Sequence, residues 1–223
     1  MNDTSAQRLL VLFAHPALEK SRVNRRLAAS VDAVPGVTFH DLYEAYPDFH
    51  IRADREQELL TAHDVFVFQF PFFWYSTPAM LKEWQDIVLE HGWAYGSEGN
   101  ALKGKTALFV VSTGASEEAY QVDGFNRHTM RQFLASLYQT CSLCGIACLP
   151  PFVVHGTHSM SPRAIEEHAA DYQRVLEALR DGRIDVGDPG VAQLSRLNEN
   201  LDALLAETEE GLGEAEEGDS HAR

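Results

Sequence analysis

Three short segments of this chain combine residue types that could grip a ligand between them. The first is Ser21-Arg22-Val23-Asn24, a few residues after an apolar run that ends at Ala14-His15-Pro16. Ser21 is placed to cap a helix. The first N–H groups of a helix have no acceptor of their own, and its dipole leaves that end positive. Such a start suits a phosphate, with Ser21 and Asn24 adding hydrogen bonds and Arg22 a charge. Ser21 also serves as a plain helix cap, and one position can do both. The second segment is Phe72-Phe73-Trp74-Tyr75, following Pro71. Four consecutive aromatics cannot all enter one core face, so some must line a groove, a surface or an interface. A planar ring system could lie against them. An aromatic dimer contact is an equal and compatible reading. The third is Ser112-Thr113-Gly114-Ala115, whose small residues let backbone N–H groups approach a negatively charged ligand edge. Taken alone it is an ordinary exit from a strand.

The elements that must position these segments are written in the hydropathy. Leu9 to Phe13, Asp64 to Phe70 and Thr106 to Ser112 are continuous apolar runs of the kind buried on both faces in a parallel sheet. Val37 to Leu42 and Ala147 to Val154 are weaker strands. Helical spacing lies between them. Val23, Leu27, Val31 and Val34 follow Ser21 and close near Pro35-Gly36. Leu81, Trp84 and Val88 follow Thr77-Pro78, read as a start with Pro at the first helical position. Met130, Phe133, Leu134, Leu137 and Tyr138 mark a third helix. Ser161-Pro162 opens a fourth, with Ile165, Tyr172, Leu176 and Leu179 inward. Five strands alternating with helices predict an α/β doubly wound five-stranded parallel sheet of order 2-1-3-4-5, with helices on both faces. The ligand site of such a sheet lies beyond the carboxyl ends of the strands, where all three segments fall.

Composition narrows the field. Of the 223 residues, 33 are acidic and 18 basic, a net charge of -15 that argues against nucleic acid. The beginning is polar, and no apolar run approaches the ~20 residues of a membrane helix, so the expected location is the cytoplasm. Cys141, Cys144 and Cys148 lack an evident fourth metal ligand nearby and read as small buried hydrophobes in a reducing compartment. The sequence has neither the G-x-G-x-x-G of dinucleotide-binding folds nor a P-loop. Residues 1–184 are expected to form the folded domain. Residues 185–223 form an acidic extension, with eleven acids against two bases, which is -9 of the -15. In it Val191, Leu194, Leu197, Leu201, Leu204 and Leu205 keep a helical period. This predicts an amphipathic helix seeking a surface on its own domain, a second subunit or another protein, followed by a disordered stretch from Glu207.

Together the loops resemble those of the NAD(P)H:quinone oxidoreductase family on the flavodoxin-like fold, and most closely its Kef-type ancillary proteins of glutathione-regulated potassium efflux systems. The likeness runs over about residues 8 to 180. It rests on Ala14-His15-Pro16, Ser21 with Asn24, Leu42-Tyr43 then Tyr46-Pro47-Asp48-Phe49, Pro71 with Trp74-Tyr75-Ser76 and Pro78, Leu81-Lys82 with Trp84, His91-Gly92-Trp93-Ala94-Tyr95-Gly96, and Leu149-Pro150-Pro151-Phe152. The resemblance implies FMN, with FAD as the alternative used by larger members. It implies phosphate and ribityl contacts at Ser21, Arg22, Val23 and Asn24, with His15 adjacent. The flavin ring would lie between Phe72, Phe73, Trp74 and Tyr75 on one side and Ser112, Thr113, Gly114 and Ala115 on the other. It implies a homodimer that passes a hydride from NAD(P)H to the flavin and two electrons onward to a quinone. Tyr120 matches a family tyrosine that serves the substrate. The family's accompanying histidine falls on Asn126, with His128 nearby, and its second glycine falls on Ala115.

A reading of a different class is also implied: a regulatory flavin-binding subunit of a membrane potassium efflux or antiport system, held at the inner face of the cell membrane by its partner. A one-electron carrier ranks below both, because His15-Pro16 stands where flavodoxins place a T-x-T-G-x-T phosphate loop.

Overall fold

Continuous apolar runs become the strands of a parallel sheet in the computed structural model, which describes residues 6–206. The stretch expected to be disordered, from Glu207 onward, lies outside the described residues. Strands β1 (Leu9–Phe13), β2 (Val37–Asp41), β3 (Val65–Pro71) and β4 (Thr106–Ser112) pair in the order β2-β1-β3-β4. The fifth position is filled by two short pieces, β5 (Ala147–Cys148) and β6 (Phe152–Val154), both parallel to β4. The expected single strand over Ala147 to Val154 is broken because Pro150 and Pro151 cannot donate to a ladder. The expected order 2-1-3-4-5 and the flavodoxin-like α/β class are found.

β1 and β3 carry buried residues at every position, so each strand supplies two cores. Leu10, Leu12, Phe66, Phe68 and Phe109 face one layer of helices: α2 (Leu42–Ala45), α3 (Ala53–Ala62), α4 (Ala79–Val88), α5 (Met130–Phe133) and α6 (Ala135–Leu143). Leu9, Val11, Val65, Val67, Leu108 and Val110 face the other, where α1 (Arg22–Val31) packs beside α7 (Pro162–Arg180). Ser21 caps α1 by accepting from the Asn24 N–H at 3.1 Å, and Ser161 caps α7 in the same way from Ala164.

Four boundaries differ from expectation. α4 starts at Ala79, with Pro78 as its extended N-cap rather than its first helical residue. The third expected helix is two, α5 and α6, joined at Leu134, whose ψ of 2° leaves the helical range. α3 has no counterpart in the sequence reading, because its deepest inward-facing residue is a carboxylate, Glu56. Among the described residues of the extension, α8 (Pro189–Gln193) and residues 201–206 are helical. The turn between them is held by Glu199, which accepts from the N–H groups of Ser195 and Arg196. The apolar residues of this extension cover the α1/α7 side of the chain's own sheet: Leu197 is fully buried, and Val191, Leu201, Leu204 and Leu205 join the same core.

Candidate flavin cleft

The carboxyl ends of β1, β3 and β4 open into one cleft of about 890 Å³. Its walls carry His15, Ser21, Arg22, Val23, Asn24, Phe72, Phe73, Trp74, Tyr75, Ser112, Gly114, Ala115 and Tyr120. Thr113 is the one expected site residue not on the wall. It sits just behind, buried, with its hydroxyl 2.7 Å from the Tyr120 hydroxyl. Lys20, Phe125, Thr157 and His158 also line the cleft and were not expected. Lys20 closes a short 3₁₀ turn (Leu18–Lys20) and the others lie in loops without periodicity, so only the fold brings them near.

At the first strand end, the first-turn N–H groups of Arg22 and Val23 precede the helical hydrogen-bond ladder. The Asn24 carboxamide is buried beside them. Its Nδ2 donates to Ser112 Oγ at 2.8 Å and to Ser21 Oγ at 3.2 Å, tying β4 to the start of α1. Its Oδ1 is buried without a protein partner. Nδ1 of His15 accepts from the Ala17 N–H at 3.1 Å, which puts the proton of the neutral ring on Nε2. Burial lowers the pKa of this imidazole, so it is neutral at physiological pH. Arg22 reaches across to the carbonyl of Met160 at 3.2 Å and so steadies the loop after β6.

The aromatic segment forms a tight turn. Ser76 N–H donates to the Phe73 carbonyl at 3.0 Å, and both residues between them are left-handed, Trp74 at φ 50° and Tyr75 at φ 62°. Two positive φ values in succession define a type I′ turn, usually made from Asn and Gly. Aromatic side chains there are strained, at a cost of order 1 kcal/mol or more each. Trp74 is 94% exposed, so burial does not repay that strain. Tyr75 is anchored at both ends. Its ring stacks on Phe133 at 5.1 Å between centroids, and its hydroxyl donates to Asn126 Oδ1 at 3.2 Å.

The loop after β4 is zipped to the one after β6. Thr113 N–H donates to Val154, Gly156 N–H to Ala115 and Thr157 N–H to Thr113. A Cβ at Gly114 would stand 2.2 Å from the His158 ring. The glycine therefore serves a neighbouring loop as well as any ligand. Tyr120, at the end of a single 3₁₀ turn (Glu117–Tyr120), packs edge-on against Phe72 and Phe133. Burial raises its pKa, partly offset by the bond with Thr113, and it stays a neutral phenol. His155, 5.5 Å from the Tyr120 ring, is lowered to about 4, chiefly by burial. The cysteines lie away from the cleft. Cys141 and Cys144 are buried, Cys148 half-buried, and all three are free thiols. A hydrogen bond with Cys148 and burial hold the Cys141 thiol protonated.

This arrangement has relatives. The family model described as flavodoxin-like fold matches residues 7–176. The chain belongs to the flavodoxin-like fold family. It is 43% identical to General stress protein 14 of Bacillus subtilis over 73% of this chain and 93% of the relative. It is also 43% identical to the glutathione-regulated potassium-efflux system ancillary protein KefG of Cronobacter sakazakii, over 76% of this chain and 92% of that one. A relative from Bacillus subtilis named as an uncharacterized NAD(P)H oxidoreductase, YrkL, is 40% identical over 77% of this chain and 97% of its own. Among solved structures, a general stress protein 14 from Treponema denticola in complex with FMN is 37% identical. It superposes with a TM-score of 0.74 over 77% of this chain and 99% of that one.

Among the described residues no helix is long and apolar enough to cross a membrane.

Proposed function

We propose that this flavodoxin-like chain binds FMN in the cleft and works as an NAD(P)H:quinone oxidoreductase. The observation that carries the reading is the convergence of the three strand-end loops on one cleft, of a size that holds a nucleotide-like ligand. The first turn of α1 supplies N–H donors and a positive dipole for a phosphate. Asn24 keeps a buried carbonyl oxygen without a donor, which a polyol hydroxyl would satisfy. The Trp74-Tyr75 turn and the Ser112–Ala115 loop stand ready for the two sides of a flat ring. When bound, flavin supplies the redox chemistry, accepting a hydride and returning two electrons to an acceptor. The protein's part is to seat the phosphate at Ser21, Arg22, Val23 and Asn24, to leave an aromatic slot for donor and acceptor in turn, and to offer the neutral Tyr120 hydroxyl as a hydrogen-bond donor there. The Treponema relative with FMN and the relatives named as NAD(P)H oxidoreductases favour the same reading. So does the solved structure of an NADPH-quinone reductase from P.pentosaceus, at 30% identity and TM-score 0.69 over 75% of this chain and 96% of that one. In this reading residues 1–184 are the flavin unit and 185–223 an acidic extension, and two copies associate. Purified protein should be yellow, bleach with NADPH and recover its colour with a quinone. Colourless protein that refuses added FMN ends the proposal.

The likeness to KefG favours a second reading, in which the chain also docks on a membrane potassium-efflux protein in the cytoplasm. Recovery of such a transporter with the tagged chain from solubilised membranes tests it, and its consistent absence counts against it.

A further inference from the structure

The segment after α7 lies past the end of the family match at residue 176, yet it is tied to the wall of the cleft. Leu197 N–H donates to the Pro151 carbonyl at 2.8 Å, at the break in the fifth strand. Asn198 then behaves as a one-residue strand at the sheet edge. Its Oδ1 accepts from Val153 N–H and its Nδ2 donates to the Val153 carbonyl, both at 3.0 Å. From Ala192 and Leu194, two carbonyls accept from Arg131 at 3.0 and 2.8 Å. Between these anchors Arg196 projects its guanidinium onto Glu117. Nε and Nη2 donate to Oε1 at 3.2 and 3.0 Å, and Nη2 to Oε2 at 2.8 Å, while Nη1 binds the Asn198 carbonyl at 3.1 Å.

Glu117 begins the 3₁₀ turn that ends at Tyr120. A single 3₁₀ turn has too few internal bonds to hold its own shape, and no side chain caps this one. Tyr120 packs at one end on Phe72 and Phe133, and Arg196 grips the other end. A forked guanidinium fixes a carboxylate in direction as well as distance, whereas an ammonium fixes distance alone. We propose that Arg196 is a positioning residue for the oxidoreductase: by clamping Glu117 it sets the turn that presents the Tyr120 hydroxyl to the cleft. The inference rests on the flavin reading for its kinetic consequence and on geometry alone for the clamp.

The test compares the full-length FMN-loaded protein with Arg196→Ala, Arg196→Lys, Glu117→Gln and the double Glu117→Gln/Arg196→Ala, using NADPH and a soluble quinone in separate stopped-flow half-reactions. The limiting rate of quinone reduction should fall about tenfold in Arg196→Ala, as for a group displaced by a fraction of an ångström. FMN occupancy should stay full. Arg196→Lys should lie between Arg196→Ala and the parent, and the double variant should be no worse than either single one. A second readout needs no flavin. His155 faces Glu117, Glu118, Arg196 and His168. Losing the cation and freeing Glu117 should therefore raise the His155 titration seen by NMR above its starting value of about 4. Rates within about twofold of the parent with an unmoved His155 overturn the proposal. So do losses that add in the double variant, or that only track lost FMN. If the parent protein binds no FMN, the flavin reading fails, and the clamp is then decided by the Tyr120 ring resonances, which should move in both Arg196→Ala and Glu117→Gln and stay in place if Arg196 does not hold the turn.

Discussion

Trp74 and Tyr75 hold backbone angles that most sequences assign to Asn or Gly. The strain has a use if the turn must aim its amides and ring faces before a ligand arrives. Replacing Trp74 by Asn keeps the turn, removes an indole that is almost wholly in water, and places a residue that tolerates the left-handed region. Trp74→Asn should gain about 1 kcal/mol of stability, a rise in midpoint of about 2–4 °C for a chain of this size. FMN should bind more weakly, read by titration of its fluorescence. A midpoint that falls would show that Trp74 packs on something in solution. Tyr120 makes a second residue-scale prediction. Tyr120→Phe keeps the contacts with Phe72 and Phe133 but removes the hydroxyl that meets Thr113. FMN content should be unchanged and quinone reduction about tenfold slower. An unchanged rate would remove Tyr120 from the chemistry. At this scale most of the residues that line the cleft were legible in the sequence, because the aromatic run and the polar residues around His15 and Asn24 fall at the strand ends where the topology puts a ligand. The sequence did not expose Thr157, His158 or Phe125, whose nearness comes from the return of the chain after β6 and from the loop after Tyr120.

Among the elements, α3 is held by a polar hub. The Glu56 carboxylate is fully buried and accepts from Trp84 Nε1 at 2.8 Å and from the Tyr46 hydroxyl at 2.6 Å, with His40 Nε2 at 2.9 Å. It joins α3 to α4, to β2 and to the stretch after α2. Burial alone would raise its pKa, but the bonds from His40, Tyr46 and Trp84 outweigh burial and hold it below the usual carboxylate range. The folded carboxyl then binds its proton less readily than the unfolded one. Its contribution to stability is present above the unfolded pKa of about 4.3 and is lost as pH falls through the lower folded value. Glu56→Ala should cost about 3 kcal/mol or more at neutral pH, since two buried donors, Tyr46 and Trp84, and the half-buried His40 lose their acceptor. Glu56→Gln should cost less, and its deficit against the parent should shrink as denaturant melts are repeated at pH values falling below the unfolded pKa of about 4.3, as the parent's lowered carboxyl takes up its proton. A deficit independent of pH would contradict the lowered pKa. This hub also explains why α3 was illegible. A helix whose deepest side chain is a carboxylate shows no apolar period, whereas β1, β3, β4, α1 and α7 follow their hydropathy and capping residues directly. The break of the fifth strand was written in Pro150-Pro151, but the pair was outweighed by the apolar residues on either side of it.

At the scale of the molecule, apolar surface and charge oppose each other. Around the mouth of the cleft Trp74 and Phe125 are 94 and 88% exposed, and Phe73 and Tyr75 are about half exposed. Large aromatics gathered at one edge of a protein surface mark a contact, and a self-complementary contact gives a two-fold dimer. Yet each chain carries a net charge of -15. Two copies therefore repel at a distance, and the apolar patch must overcome that repulsion when they touch. Salt screens the charge over a length of about 8 Å at physiological ionic strength and leaves apolar burial intact. The expected dimer should therefore tighten as salt is raised, the reverse of an association held by ion pairs. Sedimentation equilibrium across a salt series reads this directly. Phe125→Glu should shift the chain toward monomer at every salt concentration and lower the affinity for FMN, because the same residue lines the cleft. Dimers that weaken with added salt would place the interface elsewhere, on charged rather than aromatic surface. A dimer untouched by Phe125→Glu would return the aromatic rim to substrate binding alone.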